Sequence, residues 1–146
     1  MGALTELKGS ELGSERVMVE RGPVRVFARA VKDHDPTYDG LDAAVPPTYP
    51  FSWSHFGSLG RSGSGGLPIE KLRGPGRMIL HGEQEFVYHR PVVVGDVLVG
   101  NGTCVDAYER ESKGKVMTFV VSETVWSNQK SGEPVVTERF NLIHRR

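Results

Sequence analysis

The sequence predicts an α+β domain in which an antiparallel sheet wraps a helix, and three observations carry that prediction. From Met78 onward, four long runs rich in β-branched and aromatic residues are joined by short Gly-, Asn- and Ser-bearing junctions. Upstream, Val24, Phe27, Ala28 and Val31 recur at i, i+3, i+4 and i+7, the apolar stripe of an amphipathic helix. Between them, "VPPTYPFSWSHFGSLG" gathers aromatic residues between prolines and glycines. A sheet with one apolar face and a helix with one apolar stripe bury each other.

Taken in order, residues 1–15 read as an irregular N-terminal arm and 16–146 as one domain. "SERVMVE" alternates Val17 and Val19 as a short strand does. "GPVRVFARAVK" reads as a helix with Pro23 at its first position. Asp33 to Pro36 ends it, because a residue before proline is steered away from helical dihedrals. Pro50 opens a short helix that sets Trp53, Phe56 and Leu59 along one side, beside the small residues Ser54, Gly57 and Ser58. Those aromatics read first as buried packing and second as the lining of an apolar channel.

The stretch 60–77 holds six glycines and two prolines, a long glycine-rich loop with one helical turn around Pro68 to Leu72. Loops of this length are commonly functional or disordered. Its "GSGG" lacks the G-x-x-x-x-G-K-[ST] spacing of a nucleotide cradle, although Arg61, Lys71, Arg73 and Arg77 leave cations for some other phosphate. The four β runs then follow, joined through "PVVVGD", "SKGK" and "NQKSG", which read as hairpins of a continuous meander. In the last run Val136, Phe140 and Leu142 share one face, with Arg139 and Asn141 on the other.

Composition removes several function classes. Lys plus Arg and Asp plus Glu balance at 18 each, so the basic excess that neutralises nucleic-acid phosphates is missing. No apolar run is long enough to span a bilayer, and the first residues carry Glu6 and Glu11 instead of a signal-peptide core. The single cysteine, Cys104, rules out an internal disulfide and fits a reducing, cytoplasmic compartment.

The densest chemistry lies in "VKDHDPTYDG", where Asp33, Asp35 and Asp39 accompany His34 and Tyr38. A calcium loop counted from Asp33 needs glycine sixth and glutamate twelfth; it finds Tyr38 and Ala44, so calcium fails. A transition metal has no close His or Cys pair to hold it. His81, Glu83, Glu85 and His89, alternating along one strand face, read as a solvated mixed-charge surface. Ser52, Ser54 and Ser58 lack a nucleophile elbow, and Cys104 in mid-strand reads as a small packing residue. Two readings of the aspartates stay open: a general acid–base group following a helix, or a plain capped turn.

The segments "AVKDHDPTYDG", "VPPTYPF", "LHGEQEFVYHRPVVVGDVL" and "SETVWSNQKSGEPVVTERFNLIHR" together resemble the MaoC-like hot-dog hydratases and dehydratases. They are most similar to the N-terminal type of that family, to which mycobacterial (3R)-hydroxyacyl-ACP dehydratase subunits belong. The resemblance runs from about Arg16 to the C-terminus, and "YHRPVVVGDVL" is its most specific part. It implies a single hot-dog fold, a curved antiparallel sheet around a central helix near Pro50 to Leu59. It also implies hydration of trans-2-enoyl thioesters, or the reverse dehydration, without organic cofactor or metal.

The family's G-D-x-N-P-x-H pattern falls on Lys32, Asp33, His34, Asp35, Pro36, Thr37 and Tyr38. Asp33 therefore matches the catalytic aspartate, while Tyr38 replaces the histidine. A phenol titrating near pH ~10 is a poor base at neutrality. The resemblance thus implies a substrate-binding subunit that shapes the acyl tunnel with Thr48, Tyr49, Phe51, Trp53, Phe56 and Gln84. Its partners would be an acyl-CoA or acyl-ACP thioester and a second hot-dog subunit, in a homodimer or in a heterodimer whose other chain carries the full Asp/His pair. A self-sufficient hydratase using His34, His55 or His81 is the alternative, as is a non-catalytic acyl-thioester binder. A hot-dog thioesterase, the remaining class, needs a helix carboxylate, and residues 47–60 contain none.

Overall fold

The computed structural model describes residues 3–56, 67 and 69–146. Five strands form one antiparallel sheet: β1 (Glu11–Met18), β2 (Met78–Tyr88), β3 (Val97–Ser112), β4 (Lys115–Asn128) and β5 (Pro134–Arg145), in the spatial order β1-β3-β4-β5-β2. Among the described residues three α-helices accompany it: α1 (Arg21–Ala30), α2 (Pro50–Phe56) and α3 (Ile69–Leu72).

The β3–β4–β5 meander follows from its turns. Ser112 pairs with Lys115 across Lys113 and Gly114, whose φ values of 52° and 72° make the two-residue turn that matches strand twist. At the next turn the Asn128 side chain accepts from the backbone N–H of Lys130 and of Ser131 at 2.9 and 3.0 Å. The third expected hairpin is not one. "PVVVGD" carries the chain across the sheet, and β2 pairs with β5 at the far edge while β1 pairs with β3. Arg90 grips Asp96 at 3.0 Å, Asp96 accepts from the Val93 N–H at 3.0 Å, and Val93 bridges Ala44. The turn residues here serve a braced crossover.

Other boundaries move as well. The N-terminal stretch 4–7 forms a 3₁₀ turn whose Leu4 and Leu7 pack on the core, and β1 begins at Glu11. Helix α1 starts at Arg21, placing Pro23 in its first turn, and ends before Val31, which is 50% exposed. Leu59 and residues 60–66 of the glycine-rich loop lie outside the described residues, as does the Phe56 side chain. A second surprise is the bulge between His81 and Glu83, which breaks the alternation of β2. His81 thereby joins the face of Gln84 and Phe86, not that of Glu83 and Glu85.

The main core is aromatic. Tyr49 and Trp53, both fully buried, project from the α2 region against Val17, Leu98, Trp126 and Val136 of the sheet. Trp53 meets Trp126 edge-on at 4.9 Å, and Tyr49 meets Phe27 of α1 at 5.5 Å. Gly100 stands opposite Trp126 in the β3–β4 register, and a Cβ there would lie 2.7 Å from the indole. Gly100→Ala is therefore expected to cost about 1–3 kcal/mol through overpacking. A urea titration measures it, and an unchanged midpoint would show that the indole moves aside freely. A second core cluster joins Leu72, Cys104, Val120 and Leu142 beneath α3. No described helix is long and apolar enough to cross a membrane.

Candidate functional site

Two neighbourhoods contain the residues singled out by the sequence. The first is the turn after α1. Lys32 N–H donates to Arg29 O at 3.0 Å and Asp33 N–H to Ala28 O at 2.9 Å, closing the helix with Lys32 at φ 61°. Glycine usually occupies that left-handed position, and the family pattern has glycine there too. Asp33 Oδ1 accepts from the Asp35 N–H at 3.2 Å. Asp35 then caps the 3₁₀ turn Pro36–Tyr38, accepting from the Thr37 N–H at 2.9 Å and its hydroxyl at 2.7 Å. Those bonds hold the Asp35 carboxyl below its usual range.

Arg21 donates to the Asp39 carbonyl at 2.6 Å and Arg25 to its carboxylate at 3.1 Å, so the turn is strapped to α1. Partial burial, then the Asp33 carboxylate beside it, pushes the Tyr38 phenol above its ordinary value. The turn reading describes these residues as the structure shows them. Asp35 caps, while Asp33 faces Tyr38.

The second neighbourhood is a cavity of about 330 Å³ lined by Phe27, Thr48, Phe51, His81, Gln84 and Phe86. That size is at the lower end for small-molecule pockets, and three aromatic walls with a few polar groups is their usual composition. Of the residues expected to shape a substrate tunnel, Thr48, Phe51 and Gln84 line this cavity. Tyr49 and Trp53 stand behind it in the core, and burial pushes the Tyr49 phenol up to about 12. Asp33 and Tyr38 are not among its lining residues. The Tyr88 hydroxyl donates to Pro47 O at 2.6 Å, tying the segment that carries Thr48 to β2.

Sequence reasoning missed Glu138, on which the cavity wall depends. Gln84 Nε2 donates to Glu138 Oε1 at 2.9 Å, and Trp126 Nε1 donates to Oε2 at 3.0 Å. On the other side Gln84 Oε1 meets His81 Nε2 at 3.0 Å. The His81 ring is stacked on Phe140 at 4.7 Å and touched edge-on by Phe51 at 5.3 Å. A signal existed, because Glu138 interrupts the face on which Val136, Phe140 and Leu142 lie. Its partner Gln84, however, comes from a strand 54 positions away in sequence.

Burial raises the Glu138 carboxyl above its usual range, against the opposing pull of the Trp126 and Gln84 bonds. The folded protein therefore holds this proton more tightly than the unfolded chain. The cost of ionising Glu138 is present above its raised pKa and is relieved as pH falls through it. Urea midpoints of the wild type are thus expected to decline, relative to Glu138→Gln, as pH rises from mildly acidic to neutral. Parallel profiles would sink that assignment. Among the described residues no cluster of three or more His, Cys, Asp and Glu side chains is arranged to hold a metal.

Comparison with known proteins matches the family described as "FAS1-like, dehydratase domain region" to residues 6–138. A UPF0336 protein of Thermobifida fusca is 30% identical over 136 residues, covering 87% of this chain and 83% of that one. The UPF0336 protein Rv0504c of Mycobacterium tuberculosis is 30% identical over 138 residues, covering 88% and 77%. Among solved structures, the C-terminally truncated HadBC (3R-hydroxyacyl-ACP dehydratase) complex of M. tuberculosis superposes with a TM-score of 0.72 at 23% identity, over 97% of this chain and 99% of that one. The ChsH1–ChsH2 complex of the same organism gives 0.68 at 16%, over 96% and 85%. A MaoC-like dehydratase of Rhodospirillum rubrum gives 0.63 at 17%, over 93% and 90%. These likenesses identify the curved five-stranded sheet around α2 as a hot-dog fold, and the extent of the family match makes this chain a member of the FAS1-like dehydratase domain family.

Proposed function

We propose that this chain is the substrate-binding component of an (R)-specific enoyl-thioester hydratase, or equivalently a (3R)-hydroxyacyl-thioester dehydratase. The observation that carries the proposal is the pairing of Asp33 with Tyr38, whose phenol is held above its ordinary value. The aspartate of the family's pair is retained, and the group that should exchange its proton near neutrality is not. The aromatic cavity takes the acyl group, while a second hot-dog chain with the full Asp/His pair supplies the proton transfers.

The sheet has a suitable place for such a chain. Strand β2 is an edge, and Met78, Leu80 and Val87 on it are 43%, 38% and 45% exposed. That two of the similar structures are named as two-component complexes supports the same reading. The thioester is carried on CoA or an acyl carrier protein, and the buried, unpaired Cys104 accords with the reducing cytoplasm.

The test is hydration of crotonyl-CoA and a longer enoyl-CoA, followed by loss of enoyl absorbance. The chain alone is expected to be silent and to become active when an Asp/His-bearing partner is added. Activity of the chain alone that vanishes in Asp33→Asn would overturn the accessory role. His81 at the cavity wall favours a second reading, a self-sufficient enzyme with His81 as base. Silence in every combination would leave an acyl-thioester binder.

A further inference from the structure

Alternation along each strand turns every second side chain away from α2, onto the outward face of the sheet. In β4 and β5 the buried residues are Thr118, Val120, Leu142 and His144, so Met117, Phe119, Val121, Ile143 and Arg145 face outward. The strand registers align the outward residues into rows across β3, β4, β5 and β2. One row is apolar and consists of Tyr108, Phe119, Ile143 and Leu80. Tyr108 and Phe119 stack flat at 4.9 Å, and Leu80 is exposed.

Cations flank this row on one side and carboxylates on the other. Toward the β3–β4 turn stand Arg110 and Arg145, with Lys115 one row beyond. None of the three has an ion pair among the described residues; Arg110 lies over the Tyr108 ring at 5.5 Å, and Arg145 reaches Met78 Sδ at 3.2 Å. Away from the turn stand Asp106 and Glu83, with Glu123 and Glu85 one row beyond. Lys8 holds Asp106 Oδ1 at 2.9 Å and Arg139 holds Glu123 Oε2 at 2.7 Å. Asp106 Oδ2 and Glu123 Oε1 take no hydrogen bond among the described residues.

From this arrangement we infer that the outward face packs on the same face of a second copy, about a two-fold axis running along the apolar row. Rotation about that axis lays the row on itself and exchanges its flanks. Arg110 then meets the partner's Asp106, Lys115 the partner's Glu123, Met117 the partner's Val121 and Arg145 the partner's Asn141. No like charges are opposed in these pairs, and the free carboxylate oxygens accept the incoming cations. An isologous pair requires a surface that is its own complement. A uniformly acidic protein would meet carboxylates over half of this face, and a uniformly basic one would meet cations over the other half. A chain whose 18 cations and 18 carboxylates balance, and divide in this way across one face, matches itself.

With strands about 4.8 Å apart and alternate residues about 6.8 Å apart, four strands by five rows give a footprint of roughly 500–600 Å² per copy. Burial of roughly 1,000 Å² in all lies at the lower limit for a specific interface, and a dissociation constant on the order of 10 μM is expected. The backbone edge of β2 stays open, so the contact neither requires nor blocks a second hot-dog chain there.

Sedimentation velocity over about 1 to 200 μM protein tests the contact, with circular dichroism to check that each variant is folded. The wild type is expected to pass from monomer to dimer across that range, and less readily as salt rises. Phe119→Glu opposes two carboxylates on the axis, two strands away from the β2 edge, and should stay monomeric. Lys115→Glu and Glu123→Lys should each weaken self-association roughly 10-fold or more. Their equimolar mixture should recover it, because the mixed pair restores both contacts. A wild type that is monomeric throughout would overturn the inference and leave the face to a different protein. A dimer indifferent to Phe119→Glu would overturn it by placing the contact elsewhere, as at the β2 edge. A mixture no stronger than its components would overturn the assigned pairing.

Discussion

Tyr38→His is expected to give this chain hydration activity of its own on crotonyl-CoA. General acid–base groups contribute about 10²- to 10⁴-fold, so the variant should show turnover where the wild type alone shows none. The backbone is already prepared for the exchange. Asp35 caps the turn that carries residue 38, and Arg21 and Arg25 fix Asp39 against α1, so a new side chain starts from a defined position. Asp33, which now faces the phenol, would face an imidazole titrating near ~6.5 and orient it as a carboxylate orients histidine in other catalytic pairs. Adding Asp33→Asn should remove the gained rate. If Tyr38→His is folded, binds acyl-CoA and stays silent on its own, then the tyrosine is not what separates this chain from an active one.

The largest effect on stability belongs to Trp53. Its side chain is fully buried between Tyr49 and Trp126, and its indole Nε1 has no hydrogen-bond partner among the described residues. Trp53→Ala removes the centre of the aromatic core, which should cost about 3–5 kcal/mol. For a chain of this size the melting temperature would fall by on the order of 10 °C. Trp53→Phe keeps most of the ring contact and also removes an unpaired buried N–H, so its cost should be well under half that of alanine. Parallel thermal and urea unfolding of the two variants decides the matter. Equal losses would mean that the indole edge, not the filled volume, holds α2 to the sheet.

What the sequence made legible, and what it hid, divides along the range of the interactions. The β3–β4–β5 meander was readable because Lys113–Gly114 and Asn128–Gly132 declare their turns locally. Helix α1 was readable from the spacing of Val24, Phe27 and Ala28, although Val31 fell beyond its end. The seat of β2 was not, because an edge-to-edge crossover uses the same Gly and Asp chemistry as a hairpin. The bulge at Gly82 reversed which residues accompany His81, and no residue pattern announced it. The wall of the cavity was the least accessible part, since Gln84 and Glu138 are 54 positions apart and meet only when β2 lies on β5. At the turn after α1, by contrast, Asp33 and Tyr38 are near neighbours in sequence, and the sequence placed them together.

Strand β2 has one neighbour among the described residues, and it carries His81, Gln84 and Phe86, half of the cavity lining. The open edge and the wall of the site are therefore one piece of chain. A protein that extended the sheet at this edge would bear directly on the wall, and any effect it had on the affinity of the cavity would be matched, by reciprocity, by an equal effect of occupancy on that association. Selectivity would then be a property of the assembled pair: two partners on the same edge would endow one unchanged polypeptide with two different selectivities.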